Sequence, residues 1–127
     1  MITLIKNIPD DIVGFSYDGE VTAADYETVV FVAVEAAVKR SKELKVLLQL
    51  GVNFKGFKLG ALKDDMEVGL KYFRDWKKIA FVSDNEGMNH TVKAFGFLLP
   101  AKVRTFENKE MDAAVKWLSE KGSGPNR

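Results

Sequence analysis

Short apolar stretches alternate with longer amphipathic ones along the 127-residue chain. Ile2-Thr3-Leu4-Ile5-Lys6 and Ile12-Val13-Gly14-Phe15-Ser16-Tyr17 read as strands. Asn7-Ile8-Pro9-Asp10-Asp11 between them carries turn breakers, which predicts an antiparallel hairpin, and Asp18-Gly19-Glu20 ends its second strand. Thr22 and Asp25 stand at capping-box spacing and open a helix that runs to Lys39–Ser41. Its segment Thr28-Val29-Val30-Phe31-Val32 is β-branched and aromatic, but length and the following Glu35-Ala36-Ala37 decide for helix. Residues 45–50 form the mostly apolar run expected of a buried central strand, and Gly51 to Gly60 reads as a loop. In residues 61–73, Leu62, Met66, Gly69, Leu70 and Phe73 recur at helical spacing.

Residues 78–82 read as another buried strand. Asp84 or Asn85 caps a helix over Glu86–Gly96, and Pro100 blocks its continuation. Residues 102–106 alternate as an edge strand does, and Asn108 caps a last helix with Met111, Ala114, Val115 and Leu118 inward. The order ββαβαβαβα predicts an α/β fold: a mixed, mainly parallel five-stranded sheet with about four helices. It forms one domain over residues 1–119, followed by a flexible tail at 120–127.

Composition removes several functions. The formal net charge is +1, with 19 basic and 18 acidic side chains, so the basic excess of a nucleic-acid binder is missing. There is no cysteine, which excludes disulfides, thiolate metal sites and thiol chemistry. No apolar run is long enough to span a membrane and no secretion signal opens the chain, so a cytoplasmic location is expected.

Five features are candidates for function. The segment Val52-Asn53-Phe54-Lys55-Gly56-Phe57-Lys58-Leu59 follows the carboxyl end of a central strand, where open α/β sheets bind ligands. Rings beside lysines suit an anionic membrane interface. The same rings turned inward would form a plug. The glycines at 51 and 56 have P-loop spacing, but Phe57 takes the lysine position and no Ser or Thr follows, so nucleotide hydrolysis is rejected. Asp64-Asp65 are adjacent carboxylates that point about 100° apart on a helix, so they suit a helix-start charge effect better than a facing acid/base pair. His90 is the sole histidine; Ser83, Asp84 and Glu86 are near it in sequence, but no nucleophile elbow surrounds Ser83. The first helix and the cluster Phe95, Phe97, Leu98 and Leu99 carry more apolar residues than one face needs. Tyr26, Phe31 and Phe54 have no separate task in a core of this size, so the surplus fits a dimer face, an internal cavity, a membrane patch or one thick core. Finally, Tyr72-Phe73-Arg74-Asp75-Trp76-Lys77-Lys78 mixes rings and cations, and reads as a connection whose Trp caps the core.

Three strings carry a family resemblance: Gly19-Glu20-Val21-Thr22 with Asp25-Tyr26; Phe54-x-Gly56-Phe57-x-Leu59-Gly60-Ala61-Leu62 with Asp64-Asp65; and Ile79-Ala80-Phe81-Val82 with Val103-Arg104-Thr105-Phe106 and Ala113-Ala114-Val115-Lys116-Trp117-Leu118. Together they resemble the SpoIIAA-like proteins, a branch of the STAS superfamily of small bacterial domains, also called STAS/SEC14-like. The resemblance implies a sheet with helices largely on one side, and points to ligand binding in an apolar cavity and to membrane attachment. It implies no reaction. It raises Asp65 slightly, because relatives carry an acid there. Two departures stand out. Residues 51–73 hold no Ser or Thr, so the phosphorylated serine of anti-sigma-factor antagonists has no counterpart. Glu86-Gly87-Met88-Asn89-His90 stands where relatives often place a Trp.

The expected function is a non-enzymatic binding module that holds an apolar or lipid-like small molecule, without cofactor or metal. A membrane surface and a second copy of the chain are its further expected partners, and nucleic acid is not. The expected contacts are Phe54, Phe57, Leu59, Lys55, Lys58, Phe31, Phe95 and Phe97, with Asp64 and Asp65 as a polar site at a helix start. The alternative is a STAS-type protein-interaction domain without a phosphorylatable serine.

Overall fold

Five strands form one sheet: β1 (Ile2–Leu4), β2 (Ile12–Val21), β3 (Leu44–Phe57), β4 (Trp76–Val82) and β5 (Lys102–Phe106). Their spatial order is that of the sequence, β1-β2-β3-β4-β5. The computed structural model describes residues 1–40, 43–71, 75–98 and 101–120, without the side chains at 66, 69, 70, 95 and 97. The hairpin pairs β1 with β2 antiparallel, Ile2 opposite Tyr17 and Leu4 opposite Phe15. The other three pairings are parallel, as helical crossovers require.

Two corrections concern strand length. β2 does not stop at Asp18-Gly19-Glu20 but runs on to Val21, and residues 51–57 are not a loop but the second half of β3. The two extensions pair with each other: Gly19 faces Phe54, Glu20 faces Gly56 and Val21 faces Phe57, across two register shifts. Glycines absorb the irregularity, at φ 56° for Gly19 and 124° for Gly56.

After Thr22 the chain is continuously helical: α1 (Ala23–Asp25), a π-helical turn (Tyr26–Val30) and α2 (Phe31–Arg40). The expected capping box is present, with the Thr22 side chain accepting from Asp25 N and the Asp25 carboxylate accepting from Thr22 N. The π turn closes with Phe31 N donating to Tyr26 O, one residue wider than the α pattern. It shifts the helical face, which is how β-branched Val29 and Val30 and aromatic Phe31 all reach the core cluster. Then follow α3 (Leu59–Lys71), α4 (Glu86–Phe95, capped by Asn85) and α5 (Met111–Ser119). The last helix is led in by a 3-10 turn (Asn108–Glu110) opened by a capping box of Glu107 and Glu110, so Asn108 is not the cap: Glu107 caps the turn, and Glu110 stands at the N-cap of α5. The expected tail beyond residue 120, the Tyr72-Phe73-Arg74 connection and the segment Leu99-Pro100 lie outside the described residues.

The sheet buries both faces. Val13, Phe15, Tyr17, Val46, Leu50 and Phe81 point to the side covered by α1 to α4. Ile12, Leu47, Ala80, Val82 and Phe106 point to α5, where Ala114 and Leu118 meet them. Lys45, Lys78 and Lys102 stand opposite one another across β3, β4 and β5. Lys78 is only 2% exposed. Its Nζ donates to the carbonyls of Trp117 and Glu120 at 2.9 and 2.8 Å, a cation placed at the negative end of α5. Burial first, then the neighbouring Lys45, lowers its pKa.

Candidate functional site

The long ends of β2 and β3, the π turn and the start of α3 converge on one corner. Tyr17 comes from β2 at a core-facing position, and Tyr26 is the first residue of the π turn. Both rings are buried. Their hydroxyls lie 3.1 Å apart, and Tyr26 Oη donates to Asp65 Oδ1 at 2.7 Å. A hydroxyl has one proton, and that of Tyr26 is committed to Asp65, so Tyr17 donates to Tyr26. The result is a directed chain from the central sheet through the π turn to a carboxylate on α3. Burial is the main cause that pushes both phenols well above their usual pKa, and the Asp65 charge adds to it, so both stay protonated. Burial of its inner side also raises the Asp65 carboxyl, against the Tyr26 hydrogen bond that lowers it. The outer edge of Asp65 remains exposed to water. Asp64 is half-buried beside it, and its Oδ2 has no hydrogen-bond partner among the described residues.

Aromatic rings roof this chain. Tyr17 meets Tyr26 edge-on at 6.1 Å and Phe57 at 5.9 Å, and Phe57 meets Phe54 at 5.2 Å. Phe54 and Phe57 are both half-buried against the core. Phe31, also half-buried, lines a groove of about 120 Å³ between α2 and α3 with Glu35, Glu67, Val68 and Lys71. A Lys71–Glu35 ion pair of 3.6 Å crosses it.

The outer rim has the opposite character. Val52 is 86% exposed, Leu59 84% and Leu62 46%. Lys55, Lys58 and Lys63 are exposed around them, Lys58 within 3.3 Å of Glu20. The residues expected as contacts thus divide: Leu59, Lys55 and Lys58 form a rim, while Phe54, Phe57 and Phe31 stand behind it. The side chains of Phe95 and Phe97 lie outside the described residues. Asp64 and Asp65 are on α3, but the helix begins at Leu59 and has no acid in its first turn, so they do not form the expected helix-start site; their corner is completed instead by two tyrosines that the sequence did not assign to it. The signal available for them was a pair of polar-tipped rings at core-facing positions, followed by an acid on an amphipathic helix.

His90 is exposed on α4 in an open polar cleft of about 310 Å³ with Glu86, Asn89, Lys93, Thr105, Glu107 and Glu110. Glu107 and Glu110 cap the turn before α5, and buried Ser83 accepts from Asn85 N, so these polar groups serve the backbone. No group of three metal-ligating side chains occurs among the described residues. Residues 51–57 hold an extended strand rather than a phosphate-cradling loop.

The SpoIIAA-like family model matches residues 12–119. A similar solved structure is that of an uncharacterized protein of the DUF3478 family with a SpoIIAA-like fold from Shewanella loihica PV-4. It is 24% identical, over 92% of this chain and 93% of that one, with a TM-score of 0.72. No curated protein matches the chain. With its five-stranded, mostly parallel sheet and the family match over most of its length, the chain belongs to the SpoIIAA-like family and forms a STAS-type domain.

Proposed function

We propose that the protein is a non-enzymatic binding module that takes up an apolar or lipid-like small molecule and docks on an anionic membrane surface. The observation that carries this reading is the rim at the β3–α3 junction, where Leu59 is 84% exposed and Leu62 46%, between three exposed lysines. Large exposed apolar side chains grouped with cations match the acyl boundary and headgroups of such a membrane. Each leucine that enters the acyl boundary contributes about 2 kcal/mol and each lysine about 1 kcal/mol. Two leucines and three lysines total about 7 kcal/mol, a reversible association on the order of 10⁵ M⁻¹. No described helix is long and apolar enough to cross a membrane, so the attachment is peripheral. The half-buried rings of Phe31, Phe54 and Phe57 behind the rim supply an apolar lining.

The test is flotation with liposomes of phosphatidylcholine alone and with added phosphatidylglycerol. Wild-type protein should float with the anionic vesicles, and Leu59→Asp/Leu62→Asp should not. Native mass spectrometry of the purified protein should show an apolar mass that is lost on denaturation. A folded double variant that floats as well as wild type overturns the rim. A wild-type protein that is a ligand-free dimer, and does not float, moves the protein-interaction reading ahead.

A further inference from the structure

We infer that the free edge of β3 over residues 51–57 is a docking site for an extended protein segment of alternating apolar and acidic residues, which joins the sheet there as an added strand. The edge is separate from Leu59 and Leu62 of the rim and does not depend on the membrane reading.

The first observation is a mismatch of strand lengths. β3 has 14 residues and its neighbour β4 has 7. On the β2 side the second half of β3 is paired. Gly19 stands opposite Phe54 and Val21 opposite Phe57, and Lys58 N donates to Val21 O at 2.7 Å. On the β4 side the ladder stops where Val82 stands opposite Gln49, and the chain turns off into α4. The next carbonyl of β3, Leu50 O, accepts from Asn108 Nδ2 at 3.2 Å, and Gln49 Nε2 donates to Asn108 Oδ1 at 2.8 Å. That side chain closes the ladder at its root. From Gly51 to Phe57, no described group pairs with the β3 backbone on this side. A row of unpaired amides and carbonyls is a template for another strand. The outer edges of the sheet are blunted by brevity, β1 with 3 residues and β5 with 5. The inner edge is longer than either.

The second observation is what that edge presents. Successive side chains of a strand take opposite faces. Leu50 and Phe54 both pack into the core cluster, so Val52 between them shares their face, and it is 86% exposed. Asn53 and Lys55 take the other face and are exposed. An added strand therefore meets an apolar row on one face, and an amide and a cation on the other. Lys58 is held by Glu20 at 3.3 Å, whereas Lys55 has no ion-pair partner among the described residues. An acid opposite Lys55 is a favourable cross-strand pair, and a like charge there is unfavourable. The same lysine disfavours a second copy of the chain. Two such edges paired antiparallel about a two-fold axis at Phe54 or Lys55 bring both Lys55 side chains onto one face, directly opposed or diagonal.

The test is the binding of short, end-capped, fluorescent peptides to the full chain, read by anisotropy and by hydrogen exchange of the backbone amides. One peptide alternates valine with glutamate and a second alternates valine with lysine. A third repeats the glutamate peptide with every peptide nitrogen methylated, which keeps the side chains and removes the donors. The glutamate peptide should bind at least about tenfold more tightly than either of the others. It should slow exchange within residues 51–57 at least about tenfold and leave β1 and β5 unchanged. Lys55→Glu changes an exposed side chain and should reverse the preference, taking the lysine peptide over the glutamate one. A wild-type protein that binds no peptide at millimolar concentration overturns the inference. So does binding that survives methylation or leaves exchange at 51–57 unchanged. Protection of 51–57 that grows with protein concentration, without peptide, gives the edge to a second copy instead. Protection of the same amides by anionic vesicles and not by peptide makes the edge part of the membrane rim, and also overturns the inference.

Discussion

Removing one hydroxyl from the buried chain should cost very different amounts at its two tyrosines. Tyr26→Phe takes away the central link. Tyr17 Oη, on a residue only 4% exposed, is then left without its partner among the described residues, and Asp65 Oδ1 loses its donor. An unsatisfied buried hydroxyl costs about 1–3 kcal/mol, and a hydrogen bond to a charged group contributes about 1.5–3 kcal/mol. Water at the exposed edge of Asp65 recovers part of the second amount. We expect about 3 kcal/mol for Tyr26→Phe. Tyr17→Phe leaves the Tyr26–Asp65 bond intact and removes a neutral one, for about 1 kcal/mol. The double variant removes the orphan together with its former partner, so it should be no less stable than Tyr26→Phe alone, with a coupling of about 1 kcal/mol. Urea unfolding reads this directly: with a slope of about 1.5 kcal/mol/M, the Tyr26→Phe midpoint falls by roughly 2 M. Equal losses from the two single variants, or simple additivity in the double, would refute the directed chain.

Three further outcomes follow from local chemistry. The folded pKa of Asp65 is raised, so the folded state holds its proton over a window above the ordinary carboxylate range; the stability it contributes is full below that range and is lost as pH rises through the folded value. Asp65→Asn should therefore gain on wild type between acid and neutral pH in urea midpoints, and parallel curves would count against it. Lys78 is lowered instead, so the unfolded chain binds the extra proton and stability rises as pH climbs through its folded value. Lys78→Met should flatten that alkaline rise in thermal melts, and a variant that keeps it would place its origin elsewhere. Gly56 has a φ of 124° with free space around it, so Gly56→Ala should cost about 1–3 kcal/mol through backbone strain alone, whereas an unchanged urea midpoint would deny that strain.

What could be read from the sequence was what neighbouring residues decide. Thr22 with Asp25, Asn85 with Met88, and the inner face Ala114 and Leu118 are local patterns, and each appears as expected. The second half of β3 was illegible because Gly51, Asn53 and Gly56 are poor strand formers. They are held extended by the end of β2, more than 30 residues away, through a shifted register no local signal announces. The π turn escapes for a similar reason, since one extra residue per turn leaves the apolar count of the first helix unchanged and alters only its direction. Tyr17, Tyr26 and Asp65 are separated by 9 and 39 positions along the chain, and only the folded corner joins them.

The two features argued for function lie on the same short helix, and this couples them. Leu59 and Leu62 face outward from α3, while Asp65, one turn on, faces inward to Tyr26. A membrane that takes up the leucines acts on the body that the hydrogen bond restrains. The buried phenols come at a cost in stability. A Phe–Phe–Leu corner of similar shape would satisfy the core without any unmet donor, since apolar replacement of a buried polar cluster is often neutral or stabilising. What such a corner would lack is the directional tie that joins α3 to the π turn and the central sheet.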